Sequence, residues 1–132
     1  MSKSRGNTIN LRDTADQTAA RIRGARTDSE RRITFEPIAR PEVANLLTLA
    51  GLFLGEAPEA IAERVGNGGA RQLKDVVTEA VSEGLRGHRA RRAELERDPG
   101  FVSTVLREGN ARANEVAERT LATVRAVMGM TY

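Results

Sequence analysis

Apolar residues recur every three or four positions over most of this chain, a spacing that predicts amphipathic helices rather than strands. The clearest apolar face follows Pro41, a residue that suits the first turn of a helix, and continues through PEVANLLTLAGLFL to Gly55. A second apolar face runs from about Ala70 to Arg97, and a third from Asn110 to Met128. The pattern therefore predicts an all-α helical bundle.

Shorter helices complete the predicted bundle. Asp13 or Thr14 can cap a helix over TADQTAARIRGA. Pro58 begins the short segment PEAIAERV, and a further short helix is predicted at 101–107, after the DPG sequence. Apolar residues at helical spacing form the predicted core: Leu46, Leu47, Phe53, Leu73, Val77, Val81, Leu121 and Val124.

Three stretches break the helical pattern. Residues 1–12 predict a loop, since Gly6 and Asn7 favour a turn. TDSERRITFEPIARP lacks periodicity and contains two prolines, which predicts a connector. GNGG at 66–69 is typical of a helix break and lacks the strand, turn and helix of a dinucleotide-binding loop.

Composition excludes several kinds of site. A chain of 132 residues with 39% hydrophobic and 30% charged residues is typical of one globular domain with a modest core. The absence of cysteine excludes disulfides and thiolate metal sites, and a single histidine supplies poorly a histidine metal cluster or a catalytic triad, so we expect no metal site. No apolar stretch has the length of a membrane span, and the polar start does not resemble a signal peptide, so we expect a cytoplasmic protein without membrane contact.

The cations are unusual. Of 21 lysine and arginine residues only Lys3 and Lys74 are lysines, a bias that either genome-wide coding preference or phosphate recognition explains. No pair of carboxylates suggests acid–base chemistry. The densest basic stretch, RGHRARR at 86–92, is either a solvated helix face or an RNA-binding surface. Its histidine, His88, is either partly buried at a helix edge or a contact to an RNA base.

The opening sequence MSKSRGN adds a more specific motif. MSKS followed by a turn and a helix resembles the second signature of class I aminoacyl-tRNA synthetases, Lys-Met-Ser-Lys-Ser, without its first lysine, since the chain begins at Met1. The blocks RIRGARTDSERRITF, PEVANLLTLAGLFLG, LKDVVTEAVSEGLRGHRARRAEL and DPGFVSTVLREGNARANEVAERTLATVRAVMG follow in order. Together they resemble the C-terminal region of bacterial tryptophanyl-tRNA synthetases over essentially the whole chain.

The resemblance implies roles for particular residues. It divides the chain into a signature loop at 1–13, the end of a catalytic domain, and an anticodon-binding-like helical domain at 14–132. In the family the loop closes over ATP, and Lys3 would stabilise negative charge on the pyrophosphate leaving group. The implied ATP-binding residues are Met1, Ser2, Lys3 and Ser4, and the implied tRNA-binding residues are Arg86, His88, Arg89, Arg91 and Arg92.

The resemblance also implies an activity and partners. We expect the C-terminal segment of a tryptophan–tRNA ligase, which uses ATP with Mg²⁺ to attach tryptophan to its tRNA. The expected partners are tRNA, an upstream catalytic domain that carries the first signature, and a second subunit in a homodimer. The chain alone would then be inactive. The alternatives are a stand-alone, non-catalytic tRNA-binding helical module and a helical scaffold that binds protein.

Overall fold

The computed structural model describes residues 8–130, and within that range every regular element is helical. The all-α prediction is confirmed. Helix α1 spans Ala15–Arg23, α2 spans Pro41–Leu54 and α3 spans Pro58–Val65, after which a single 3₁₀ turn occupies Gly66–Gly68. Helix α4 spans Gly69–Gly84, α5 spans Arg86–Glu96 and α6 spans Pro99–Val127.

Local sequence sets the starts and ends of the first helices. The Thr14 hydroxyl accepts a hydrogen bond from the backbone N–H of Gln17, and the Gln17 side chain accepts one from the backbone N–H of Thr14, which forms a capping box. Pro41 and Pro58 each stand at the start of a helix, where their missing N–H leaves no helical bond unmade. Gly55, with φ of 69°, ends α2 in the left-handed conformation.

The chain forms two compact units, Met1–Ala90 and Arg91–Tyr132. In the first unit α4 packs against α1 and α2, and α3 packs against α2. In the second unit none of the residues that the structure describes is buried. The buried core therefore lies in the first unit, where it consists of Ile22, Ile33, Val43, Leu46, Leu47, Ala50, Ile61, Ala62, Val65, Leu73, Val77 and Val81.

A single arginine organises the connector between α1 and α2. The side chain of Arg40 is only 7% exposed, and its Nε and one terminal nitrogen each donate to an Asp28 carboxylate oxygen at 2.7 Å. Its other terminal nitrogen donates to the Arg32 carbonyl and to the Thr34 hydroxyl, both at 2.7 Å. The connector thus gets its shape from one bidentate ion pair and two further hydrogen bonds rather than from regular structure.

Two predicted helix boundaries are wrong. The helix predicted from Ala70 to Arg97 is interrupted at Leu85, directly after Gly84, a residue with low helix propensity. Conversely, α6 runs through the break predicted before Asn110. Gly109 fits the helix without a positive φ, and the cost of a glycine inside a helix, about 1 kcal/mol, does not stop a long one.

Three predicted core residues are not buried. Phe53 is 37% exposed, because it lies in the last turn of α2, where its ring covers Gly84 at the end of α4. Leu121 and Val124 are 38% and 44% exposed, because they belong to α6 in the second unit, whose described residues enclose no core. The other five predicted core residues, Leu46, Leu47, Leu73, Val77 and Val81, are all buried as expected.

Candidate functional site

The residues predicted to bind ATP lie outside the described range: Met1, Ser2, Lys3 and Ser4. The predicted catalytic residue, Lys3, is one of them. The described part of the chain begins shortly after them and leads directly into α1. The described parts of the candidate site are therefore the turn at Asn10–Asp13, which follows the predicted signature loop and is called the loop exit below, and the basic stretch at 86–92.

The loop exit is a tight turn built on Asp13, which is only 6% exposed. One carboxylate oxygen accepts the backbone N–H of Asn10 at 2.9 Å, and the same oxygen lies 3.1 Å from Nε of Arg21 on α1. The backbone N–H of Asp13 donates in return to the Asn10 carbonyl at 2.9 Å. The hydrogen bond from Asn10, helped by the charge of Arg21 and opposed by desolvation, lowers the pKa of Asp13 below its ordinary 3.8, so the carboxylate is ionised at neutral pH.

Arg89, near the start of α5, reaches back to the same turn. Its Nε donates to the backbone carbonyl of Asp13 at 3.1 Å, and one terminal nitrogen donates to the hydroxyl of Thr18 at 2.9 Å. The other terminal nitrogen donates to the Ser82 carbonyl at 3.3 Å. The guanidinium thereby connects α5, the end of α4 and the segment that precedes α1.

The other cations of the basic stretch face solvent. Arg86 pairs with Glu83, Arg91 with Glu94 and Arg92 with Glu96, at 2.8, 2.9 and 2.8 Å respectively. Each partner is three or four residues away along the chain, and such exposed pairs contribute about 0–1 kcal/mol each. These arginines can therefore exchange their carboxylate for another anion at little cost.

His88 is exposed, so the interpretation of a partly buried histidine at the helix edge is wrong. Leu85, just before α5, packs against the core of the first unit, and Arg89 donates to Thr18 of the same unit, whereas the side chain of His88 is exposed to solvent. The structure also divides the stretch, because Arg86, His88 and Arg89 belong to the first unit, and Arg91 and Arg92 to the second.

An open groove in the first unit is a feature that the sequence did not suggest. Its walls include the half-exposed ring of Phe53 together with Leu54 and Val76, and Arg86 and Arg89 contribute to its polar side. Phe53 can pack this closely on the end of α4 because Gly84 has no side chain, since a β-carbon there would stand 2.1 Å from the Phe53 ring. Both partners are visible in the sequence, but nothing in the pattern indicates that they meet.

The second lysine, Lys74, has a structural contact. Its ammonium donates to the backbone carbonyl of Arg23 at 3.0 Å, at the end of α1, where helices favour positive charge. Among residues 8–130 no cluster of histidine and carboxylate side chains could hold a metal ion. Within that same part of the chain no helix is long and apolar enough to cross a membrane.

Comparison with known proteins places this arrangement in a family. The family model for class I tRNA synthetases (W and Y) matches residues 1–86, from the MSKS sequence to the start of α5. The chain therefore belongs to the class I tRNA synthetases of this family.

Within this family, the individual proteins that the chain resembles are tryptophan–tRNA ligases. The chain is 38% identical over 121 residues to the tryptophan–tRNA ligase of a Nostoc species and 37% identical over 122 residues to that of Gloeobacter violaceus. In both cases the match covers 92% of this chain and 36% of the relative, so the chain spans about a third of the relatives' length. Tryptophan–tRNA ligase 1 of Streptomyces coelicolor is 35% identical over 122 residues. The resemblance to tryptophanyl-tRNA synthetases is thus confirmed.

Proposed function

We propose that this chain supplies the signature loop and an RNA-binding helical region to a tryptophan–tRNA ligase, which attaches tryptophan to its tRNA at the expense of ATP. The observation that carries the proposal is the match of 92% of the chain to ligases of that specificity. The family match includes residues 1–4 and continues through the whole buried core of the first unit.

The proposed chemistry of the loop follows from its donors. Triphosphate oxygens accept hydrogen bonds from ammonium and hydroxyl groups. MSKS supplies one ammonium, from Lys3, and two hydroxyls, from Ser2 and Ser4, so these residues fit ATP. In the complete enzyme ATP, with Mg²⁺, supplies pyrophosphate as the leaving group. We assign Lys3 to stabilise the charge that develops there, and Met1, Ser2 and Ser4 to hold the nucleotide.

The rest of the catalytic unit lies, on this proposal, outside these 132 residues. An upstream nucleotide-binding domain would bind tryptophan and orient its carboxylate toward ATP, and the complete enzyme would be a homodimer. A loop lysine alone cannot supply that orientation, which accounts for a large share of the rate of such reactions. The chain by itself is therefore expected to be inactive.

The proposed RNA contacts lie on α5. Arg86, Arg91 and Arg92 present exposed guanidinium groups whose present partners are weakly held surface carboxylates, and phosphate can replace them. The exposed imidazole of His88 offers a surface on which an unpaired base can stack. We expect little phosphate binding by Arg89, because three of its five N–H groups already donate to protein acceptors.

The proposed activity is tested by tryptophan-dependent ATP–pyrophosphate exchange. The chain is fused to the upstream part of a tryptophan–tRNA ligase, with the missing lysine of the signature restored. We expect exchange by the fusion and none by the chain alone. Lys3→Ala should lower the rate by about 10²–10³-fold, the usual effect of removing one group that stabilises transition-state charge.

Lys74→Ala is the matched control, because it removes the only other lysine, whose contact is to the end of α1. Its exchange rate should stay within about twofold of the unmodified fusion if the fold is kept. Equal losses at Lys3 and Lys74, or exchange by the chain alone, would contradict the role proposed for the loop. An inactive fusion that binds tRNA normally would favour the non-catalytic module.

RNA binding is tested on the chain itself. Tryptophan tRNA should bind more tightly than another tRNA. Replacing both Arg91 and Arg92 with glutamine should weaken binding and reduce the salt dependence by about one unit for each phosphate that the variant no longer neutralises. Arg119→Gln on α6 is the control, since Arg119 also forms an exposed ion pair four residues apart in the second unit. The same weakening in the control would mean that net charge, and not α5, determines the affinity.

A further inference from the structure

Arg89 differs from the other arginines of the basic stretch in the kind and the distance of its partners. The other three pair with a carboxylate no more than four residues away. Arg89 donates instead to neutral groups, and two of them, the Asp13 carbonyl and the Thr18 hydroxyl, are 76 and 71 residues away in the sequence. Arg89 is partly buried. If its guanidinium turned to solvent, the Asp13 carbonyl and the Thr18 hydroxyl would lose this donor.

Its target is a turn that is held from two sides. The Asp13 carboxylate binds the backbone of Asn10 and the side chain of Arg21, which fixes the turn to α1. The Asp13 carbonyl binds Arg89, which fixes the same turn to α5. The described residues that precede α1, 8–14, are therefore attached to α5, the helix that carries the proposed RNA contacts.

We propose that Arg89 is a positioning residue that attaches the exit of the signature loop to helix α5, a role that rests on the proposed function of that loop. Lys3 precedes Asn10 by seven residues. Seven residues reach at most about 25 Å, even when fully extended. The anchor at Asn10–Asp13 thus defines the volume within which Lys3 meets ATP, and Arg89 holds that anchor.

The first test measures amide hydrogen exchange of residues 8–14 in the purified chain. Arg89→Gln should raise their exchange rate by at least about tenfold, since a hydrogen bond from a charged donor typically contributes that factor. Exchange in the buried parts of α2 and α4 should stay unchanged. Arg89→Lys, which keeps one charged donor, should give a smaller increase. Arg64→Gln, which breaks an exposed ion pair in the same unit, should give none.

The second test uses the fusion that carries out ATP–pyrophosphate exchange. Arg89→Gln should lower kcat by about tenfold, with a smaller change in KM for ATP, while the Kd for tRNA and its salt dependence stay within about twofold. Arg89→Lys should recover part of kcat, and Arg64→Gln should leave it unchanged.

The outcomes separate this inference from the proposed function. Unchanged exchange in 8–14 for both Arg89 variants overturns the positioning role, whatever the activity. If the Arg89 variants bind tRNA more weakly and with a lower salt dependence, while amide hydrogen exchange in residues 8–14 is unchanged, Arg89 is a phosphate contact instead. A fusion that is inactive even without substitution refutes the proposed function. Amide hydrogen exchange in the purified chain still decides whether Arg89 holds the turn.

Discussion

Replacing Arg40 with methionine is expected to destabilise the first unit by about 2–4 kcal/mol. Methionine keeps most of the length of the side chain and removes the guanidinium, so the Asp28 carboxylate, the Arg32 carbonyl and the Thr34 hydroxyl lose their donors together. Breaking a buried ion pair on one side destabilises by about 3–5 kcal/mol. Asp28 is 35% exposed, so water can hydrate it in the variant, which lowers the expected loss to the stated range.

The measurement is urea unfolding followed by circular dichroism, with Arg64→Met as the control. Arg64 also pairs with a glutamate in the first unit, but its side chain is 50% exposed, and the same substitution should change the free energy of unfolding by about 0–1 kcal/mol. In an Asp28→Asn background the effect of Arg40→Met should shrink, because one of the two charges is already absent. Equal losses at Arg40 and Arg64 would refute the argument that burial, rather than pairing alone, determines the value of the contact.

Three further predictions test other parts of the fold. Hydrogen bonds from Arg40 lower the pKa of Asp28 below its ordinary 3.8. The unmodified chain should therefore be more stable than Asp28→Asn above about pH 4, and this difference should disappear as the pH falls through the lowered pKa of the folded state. Urea titrations at several pH values measure the difference. Leu47→Ala, at a fully buried position, should lower the unfolding free energy by about 2–5 kcal/mol, whereas Leu121→Ala, at a 38% exposed one, should lower it by less than about 1.5; similar losses would contradict the assignment of the core. Gly109→Ala, with open space around the new β-carbon, should raise the helicity of α6 in circular dichroism, while Gly51→Ala should lower the thermal midpoint, because its β-carbon would lie 2.7 Å from a backbone carbonyl oxygen of the α2–α3 loop.

Sequence reasoning located helices α1 to α3 well because the information there is local. A capping box at Thr14, prolines at the first turns of α2 and α3 and a glycine after α2 each act within a few residues. The same reasoning failed for α6. Its period of apolar residues correctly indicated a helix, but a period says only which side of a helix is apolar and not what covers it. Leu121 and Val124 were therefore assigned to a core that the described residues of the second unit do not form.

The basic stretch shows the same limit at the level of the site. RGHRARR gives four arginines equal weight in the sequence, and only the fold separates them. Arg86, Arg91 and Arg92 have partners on their own or the adjoining turn, so each can bind a phosphate without disturbing other elements. Arg89 binds residues more than seventy positions away, an interaction that depends on how α1 and α4 pack. Replacing Arg89 together with Arg91 and Arg92 would therefore remove a proposed anchor and two proposed phosphate-binding groups at once. Only separate substitutions can test the proposed RNA binding of Arg91 and Arg92 apart from the proposed positioning role of Arg89.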